Sequence, residues 1–157
     1  TRTEGADTQD RVYVIQRKDP PVMIFDRNGN YLNSWGISAI TDPRGVFIED
    51  DSMYVTDRAE SVALKFTLDG KPLQVIGRRG VHSDTGGEVP GEVVPQSSGP
   101  FNYPTQLVPA PSGDLYVSDG YRTPRVHIFS PDGRSLAPWA APGEEGPSPF
   151  PLLPTSV

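Results

Sequence analysis

Hydrophobic positions in this chain come in short runs closed off by glycine, proline or small polar residues. Arg11-Val12-Tyr13-Val14-Ile15 and Val22-Met23-Ile24-Phe25 are rich in β-branched and aromatic side chains, which suit a pleated, half-buried surface. Further strands are expected at Tyr31 to Trp35, Pro72 to Ile76 and Ser135 to Trp139. Each of these follows a turn: Arg27-Asn28-Gly29-Asn30, Leu68-Asp69-Gly70-Lys71 or Pro131-Asp132-Gly133-Arg134. Asn-Gly and Asp-Gly adopt the positive φ of tight hairpins at little cost. No stretch keeps a helical period over a window of about 11 residues, so the pattern predicts an all-β chain.

The runs repeat. Tyr13, Tyr54 and Tyr116 are followed by Phe25, Phe66 and Phe129 after 12, 12 and 13 residues, and then by Gly29, Gly70 and Gly133 after 4 in each case. Pro43 and Pro104 precede their tyrosines by 11 and 12 residues. Units of about 40 to 50 residues with about four strands each are the signature of β-propeller blades. The whole chain, residues 1–157, therefore reads as a single propeller segment. Its blades are expected over about 5–40, 41–78 and 101–140, with an insertion at 78–100 and a Pro-rich tail at 141–157. Pro154-Thr155-Ser156-Val157 matches Pro104-Thr105-Gln106-Leu107 and reads as the start of a further blade. Only Thr1 to Gln9 lie ahead of the Asp10-Arg11-Val12-Tyr13 run, so the first copy is expected to lack a full inner strand. Three blades by themselves leave two sheet faces in water, which predicts either a longer propeller or self-association, as a dimer closing a ring or a head-to-tail assembly.

Charge and composition narrow the function. Fourteen Lys and Arg against 20 Asp and Glu give a net charge of −6, the wrong sign for a nucleic-acid partner. The absence of cysteine removes disulfides, thiolate metal sites and cysteine nucleophiles. No apolar run approaches the ~18 residues of a membrane-spanning helix. The sequence opens on Thr1 rather than Met and shows no signal-peptide pattern.

Asp10-Arg11-Val12-Tyr13-Val14, Asp42-Pro43-Arg44-Gly45-Val46 and Ser118-Asp119-Gly120-Tyr121 resemble NHL-repeat six-bladed propellers. The likeness is strongest to bacterial relatives of peptidyl-α-hydroxyglycine α-amidating lyase and runs from about Gly5 to Gly146. It takes in Gly80-Val81-His82-Ser83-Asp84-Thr85-Gly86 and Gly99-Pro100-Phe101-Asn102. The three expected blades are then half of a six-bladed ring.

For the lyase, the resemblance implies a zinc ion on three histidines, a calcium ion held partly by backbone carbonyls, and a tyrosine and arginines around the substrate. A zinc histidine follows the proline that opens certain blades. Here Arg44 and Thr155 stand in those positions, so the zinc ligands are replaced and no metal site or cofactor is expected. Tyr121 matches the lyase tyrosine and Arg17 a substrate arginine, which makes these two the catalytic candidates. With Arg44 they form an expected binding set for a peptide or a small anionic ligand such as a carboxylate.

The chain has two histidines: His127 reads as an ordinary strand residue and His82 as a solvated one. Asp57 and Asp119 are expected to cap backbone amides at the turns that follow them. Asp26-Arg27-Asn28-Gly29-Asn30 faintly resembles a calcium loop, lacks the bidentate glutamate, and reads as a hairpin turn.

The expected function is a non-catalytic NHL-type propeller serving as a binding, scaffold or self-assembling module. The alternative is an amidating-lyase-like enzyme completed by residues outside this chain. Some NHL propellers bind RNA through a basic face, which the net charge opposes here. The bacterial relatives imply a location outside the cytoplasm.

Overall fold

The recurring tyrosine, phenylalanine and glycine each fall at one place in a repeated sheet. A computed structural model describes residues 4–83, 101–119 and 125–136 of the chain. The first sheet is a meander of β1 (Glu4–Ala6), β2 (Val12–Ile15), β3 (Val22–Phe25) and β4 (Tyr31–Trp35). The second runs through β5 (Pro43–Glu49), β6 (Ser52–Asp57), β7 (Val62–Thr67) and β8 (Pro72–Ile76). The third holds β9 (Pro104–Pro109), β10 (Leu115–Asp119) and β11 (Arg125–Phe129). Every pairing is antiparallel, and each tyrosine lies on the second strand of its sheet.

The inner strand of the first copy is short: β1 has three residues and pairs Gly5 with Tyr13. Of the strand expected from Ser135 to Trp139, the described part holds a bridge between Phe129 and Ser135. Residues 137–139 lie outside the described residues, as do 84–100 of the insertion and the tail 141–157.

Alternation of side chains across each strand gives every sheet two apolar faces, and neighbouring sheets pack face to face. Tyr13, Val22 and Ile24 of the first sheet meet Met53, Val55, Leu64 and Phe66 of the second in one core cluster, with Trp35 packed against it. Trp35 and Phe66 ring centroids lie 5.1 Å apart. The opposite face of the second sheet, with Tyr54, Ala63 and Ile76, meets Leu107, Leu115, Val117 and Phe129 of the third. Full burial of one such aliphatic or aromatic side chain contributes about 1.5–3 kcal/mol. The inner strands β1, β5 and β9 are neighbours in sequence of sheets, β5 touching both others, as in blades arranged around an axis.

The hairpin glycines serve this packing as well as the turn. Gly70 has φ +94°, and a Cβ there would lie 2.6 Å from the Trp35 ring. Gly133, at φ +86°, would set a Cβ 2.7 Å from Gln74 Nε2. The same two side chains donate across the joins, Trp35 Nε1 to the Leu68 carbonyl and Gln74 Nε2 to the Pro131 carbonyl, both at 3.2 Å. Each acceptor stands two residues before the hairpin glycine of the next sheet.

At the first hairpin, Asp26 Oδ1 accepts the Asn28 and Asn30 amides at 2.8 and 2.9 Å, and Oδ2 accepts Asn30 Nδ2 at 2.8 Å. The Asn30 side chain, then its amide, holds the Asp26 carboxyl below its ordinary value. Its oxygens are spent on turn donors, as a hairpin requires and a cation loop does not.

Candidate functional site

The loops joining β6 to β7 and entering β5 and β9 carry most of the buried polar chemistry. The second and third sequence copies place a carboxylate three residues after their tyrosines, Asp57 and Asp119, and both are fully buried. Asp57 Oδ2 accepts the Thr41 amide at 2.6 Å, while Oδ1 accepts the Asp42 and Glu60 amides at 3.2 and 3.1 Å. Asp119 Oδ2 accepts the Asn102 amide at 2.7 Å. Thr41 and Asn102 both lie two residues before the proline that opens an inner strand. For Asp57, the expected bond to the following turn exists, at Glu60, but two of its three go back to the segment entering its own blade. Asp119 likewise bonds back to its entering segment, and the turn that follows it lies outside the described residues. Carboxylates buried at the end of a strand find their nearest unpaired amides in that entering loop.

Asp42 is the hub of an ion network between the first two sheets. Arg17 Nε lies 2.8 Å from Asp42 Oδ1, and Arg58 approaches Oδ2 through Nε and Nη2, both at 2.7 Å. Two guanidiniums meet the Asp42 carboxylate, and buried Asp57, whose Oδ1 accepts the Asp42 amide at 3.2 Å, supplies a second negative charge beside them. Arg17 is therefore engaged by an acid of the neighbouring sheet, with its side chain still 57% exposed. Arg44 follows Pro43 on β5 and is half-buried. Arg44 lies two positions along the chain from Asp42, the partner of Arg17. Tyr121 and Thr155 lie outside the described residues.

The start of the insertion docks on the same loops. Ser61, buried at φ 51°, shares a 2.5 Å hydrogen bond between its Oγ and His82 Nδ1. The His82 ring is 4.9 Å from that of Tyr103, and Gly80 N donates to the Glu60 carbonyl at 2.9 Å. Ser83 accepts Asn102 Nδ2 on its carbonyl at 2.7 Å. His82 is exposed, as expected of a solvated residue, yet its imidazole is tied to a buried serine. His127 lies on β11, 7% exposed, and donates from Nε2 to Asp119 Oδ2 at 3.4 Å. Its ring meets Phe101 edge-on at 5.3 Å.

The zinc and calcium implied by the sequence resemblance can be tested against these groups. A guanidinium has no lone pair to give a metal, so Arg44 cannot act as a ligand. The two imidazoles are spent on Ser61 and Asp119, on either side of the Phe101–Tyr103 segment. Among the described residues, no group of three or more His, Asp or Glu side chains is placed to hold a metal. The described residues do not by themselves make a three-histidine zinc centre.

The opposite ends of the strands carry a second polar cluster. Asp7 Oδ2 accepts Arg11 Nε at 2.6 Å and the Tyr13 hydroxyl at 3.1 Å, and Oδ1 accepts the Gln9 and Arg11 amides at 2.9 and 3.0 Å. Burial pushes the Asp7 carboxyl up, but these donors together outweigh it and hold it below its ordinary value. Tyr13 is pushed up to about 12, first by burial and then by the Asp7 charge.

Asp42, Arg58 and Ser61 were missed from sequence alone. Their signal was available in the repeat: Asp42 precedes an inner-strand proline, and Arg58 follows the repeated aspartate.

No family model matches the chain. It is 34% identical to the peptidylglycine alpha-amidating monooxygenase of Rattus norvegicus over 140 residues, covering 85% of this chain and 13% of that protein. It is 28% identical to peptidyl-alpha-hydroxyglycine alpha-amidating lyase 2 of Drosophila melanogaster, covering 81% of this chain and 29% of the relative. NHL repeat-containing protein 3 of Homo sapiens is also 28% identical, over 69% of this chain and 31% of its own length. The chain thus spans less than a third of each of these curated relatives.

Among solved structures, a chain of a nidogen/laminin complex matches with a TM-score of 0.66 at 17% identity, over 89% of this chain and 48% of that one. Virginiamycin B lyase from Staphylococcus aureus matches at 0.59 and 13% identity, over 90% of this chain and 41% of that one. With its all-β meanders, its blade-on-blade packing and these relatives, the chain is an NHL-repeat β-propeller segment homologous to the amidating lyases.

Proposed function

We propose that this chain is a non-catalytic propeller module that works by binding and self-association. The observation that carries the reading is the Arg17–Asp42–Arg58 network. The arginine in the lyase substrate position is held at 2.8 Å by a carboxylate of the next sheet, where it ties two blades together. Arg44, two positions after Asp42 in the chain, supplies a cation where lyase chemistry calls for a neutral imidazole. The arginines near Asp42, among them the exposed Arg17, suit a carboxylate-bearing peptide or small anion. The structural likeness to a chain of a nidogen/laminin complex supports protein binding as the mode of action.

Thermal unfolding with and without zinc and calcium, alongside turnover of a peptide ending in α-hydroxyglycine, tests the reading. No stabilisation by either ion and no turnover is the expected result, because a native-state ligand must raise apparent stability. Zinc-dependent turnover would overturn it.

A lyase-like reading is favoured by the 34% identity to the rat amidating monooxygenase. It requires imidazoles from outside this chain. Metal-dependent turnover that appears only when further polypeptide is added would support it.

A further inference from the structure

The join between the first two sheets is not closed along its whole length. Ile24, Leu32 and Asn33 of the first sheet face Leu68 and Asp69 of the second across a groove of about 330 Å³. It lies at the turn ends of the strands, away from the Arg17–Asp42–Arg58 network, and Arg11 and Asp51 also line it. Both walls belong to adjacent described sheets, so the groove exists whatever precedes or follows them in the polypeptide.

A β-bulge and a short side chain open it. Ile24 pairs with Asn33 and Phe25 with Tyr31, so Leu32 has no partner across the ladder and is 49% exposed. The second sheet carries the same bulge, with Lys65 paired to Gln74 and Phe66 to Pro72. There Gln74, the equivalent of Asn33, crosses the next join to the Pro131 carbonyl at 3.2 Å and lies over Gly133. Asn33 is one methylene shorter and stays exposed, and the space that Gln74 takes up in the second join is left free in the first.

The groove is apolar at its floor and acidic at its rim. Ile24 is buried and Leu68 half-buried, whereas Asp51 and Asp69 are exposed. The Thr67 hydroxyl donates to Asp69 Oδ1 and holds its carboxyl below the ordinary value. Arg11 is already paired, its Nε 2.6 Å from Asp7 Oδ2. Glu49 and Asp50 share the Asp51 turn and Lys71 follows Asp69 by two positions, so acids outnumber bases around the groove. The two long segments outside the described residues, 84–100 and 137–157, contain no lysine or arginine and cannot bring the missing charge.

We propose that this groove takes a lysine or arginine side chain from an extended segment of another protein. The aliphatic stem lies on Ile24, Leu32 and Leu68, and the charged head meets the Asp51 and Asp69 carboxylates. The inference goes beyond the propeller-module reading: it concerns the other ends of the strands and holds whether or not the chain has lyase activity.

An NMR titration of the isotope-labelled full chain with a blocked Gly-Arg-Gly peptide, and with Gly-Glu-Gly as its counterpart, tests it. The arginine peptide is expected to give saturable shifts at Leu32, Asn33 and Asp69, and the glutamate peptide none. Asp51→Asn removes an exposed charge and leaves the fold intact, while Asn33→Gln supplies the longer amide that closes the second join. Each is expected to weaken binding by about tenfold with unchanged circular dichroism. Absence of saturable shifts at these residues overturns the proposal, as does an equal response to the glutamate peptide or either variant binding as tightly as wild type. Contacts from the Leu32 methyls to another segment of the same polypeptide, seen without added peptide, also overturn it.

Discussion

Asp57 accepts the backbone amide of Thr41 at 2.6 Å, across 16 residues of sequence, and so pins the entry of its blade's inner strand to the exit of the strand beside it. Asp119 repeats the arrangement with the Asn102 amide at 2.7 Å. A buried carboxylate holding three amides leaves all of them unpaired when removed, and hydrogen bonds to charged groups are each worth about 1.5–3 kcal/mol. Asp57→Ala is therefore expected to destabilise the fold by about 3 kcal/mol or more in urea denaturation. Gln16 occupies the equivalent place in the first sheet, where its amide donates to the Pro20 carbonyl at 3.0 Å. Gln16→Ala is expected to cost about 1 kcal/mol or less. Equal losses at the two positions would contradict the anchoring role.

Gly70 and Gly29 share a positive φ and differ in what lies above them. An alanine in this region of φ costs roughly 1–2 kcal/mol by itself. Gly29→Ala should show that alone, while Gly70→Ala must also displace the Trp35 ring and is expected to lose about 3 kcal/mol. Denaturation curves for the pair, followed by tryptophan emission, measure the difference.

The Asp7 cluster sets an acid limit. Its carboxyl lies below the ordinary 3.8 in the folded chain, so folding is favoured by the charged form. That contribution is complete above 3.8 and is lost as pH falls through the lower folded value. Asp7→Asn is expected to be less stable at neutral pH and to lose less stability on acidification, as read from melting temperature against pH. Tyr13 works at the other extreme. Its value is raised from 10.0 to about 12, so its stabilisation is complete below pH 10 and fades between 10 and 12. Tyr13→Phe is expected to flatten stability over that alkaline window.

Arg17 and Arg58 share Asp42 unequally. The Arg17 side chain is 57% exposed and its single contact is screened by solvent, so Arg17→Ala is expected to cost under about 1 kcal/mol. Arg58 is 35% exposed and makes two contacts with Oδ2, so its loss is expected to be the larger. A double-mutant cycle with Asp42→Ala separates these couplings from the loss of either side chain alone.

Much of the fold was legible because local chemistry and tertiary packing use the same residues. Val22–Phe25, Tyr31–Trp35 and Pro72–Ile76 form where β-branched and aromatic runs meet Gly turns. The three-residue β1 was not legible: Glu4-Gly5-Ala6 has no strand propensity, and it is held by pairing with β2 instead. The site was harder to read for a similar reason. Arg17 was a candidate ligand-binding arginine in sequence, but its partner Asp42 lies in the next repeat, a pairing that only the packing of two sheets creates. Ser61 and His82 are brought together by a left-handed backbone turn at Ser61, a conformation no serine announces.

The second sheet is packed on both faces, whereas the first and third each have one neighbour among the described residues. Modules coupled only to their neighbours open from the outside inward. Backbone amides of β6 and β7 should accordingly be the last to exchange with deuterium, with those of β2 and β3 released earlier. An association that covers Met23 and Phe25 would slow exchange in the first sheet most, so that a contact made between molecules registers as an evening-out of protection along one chain.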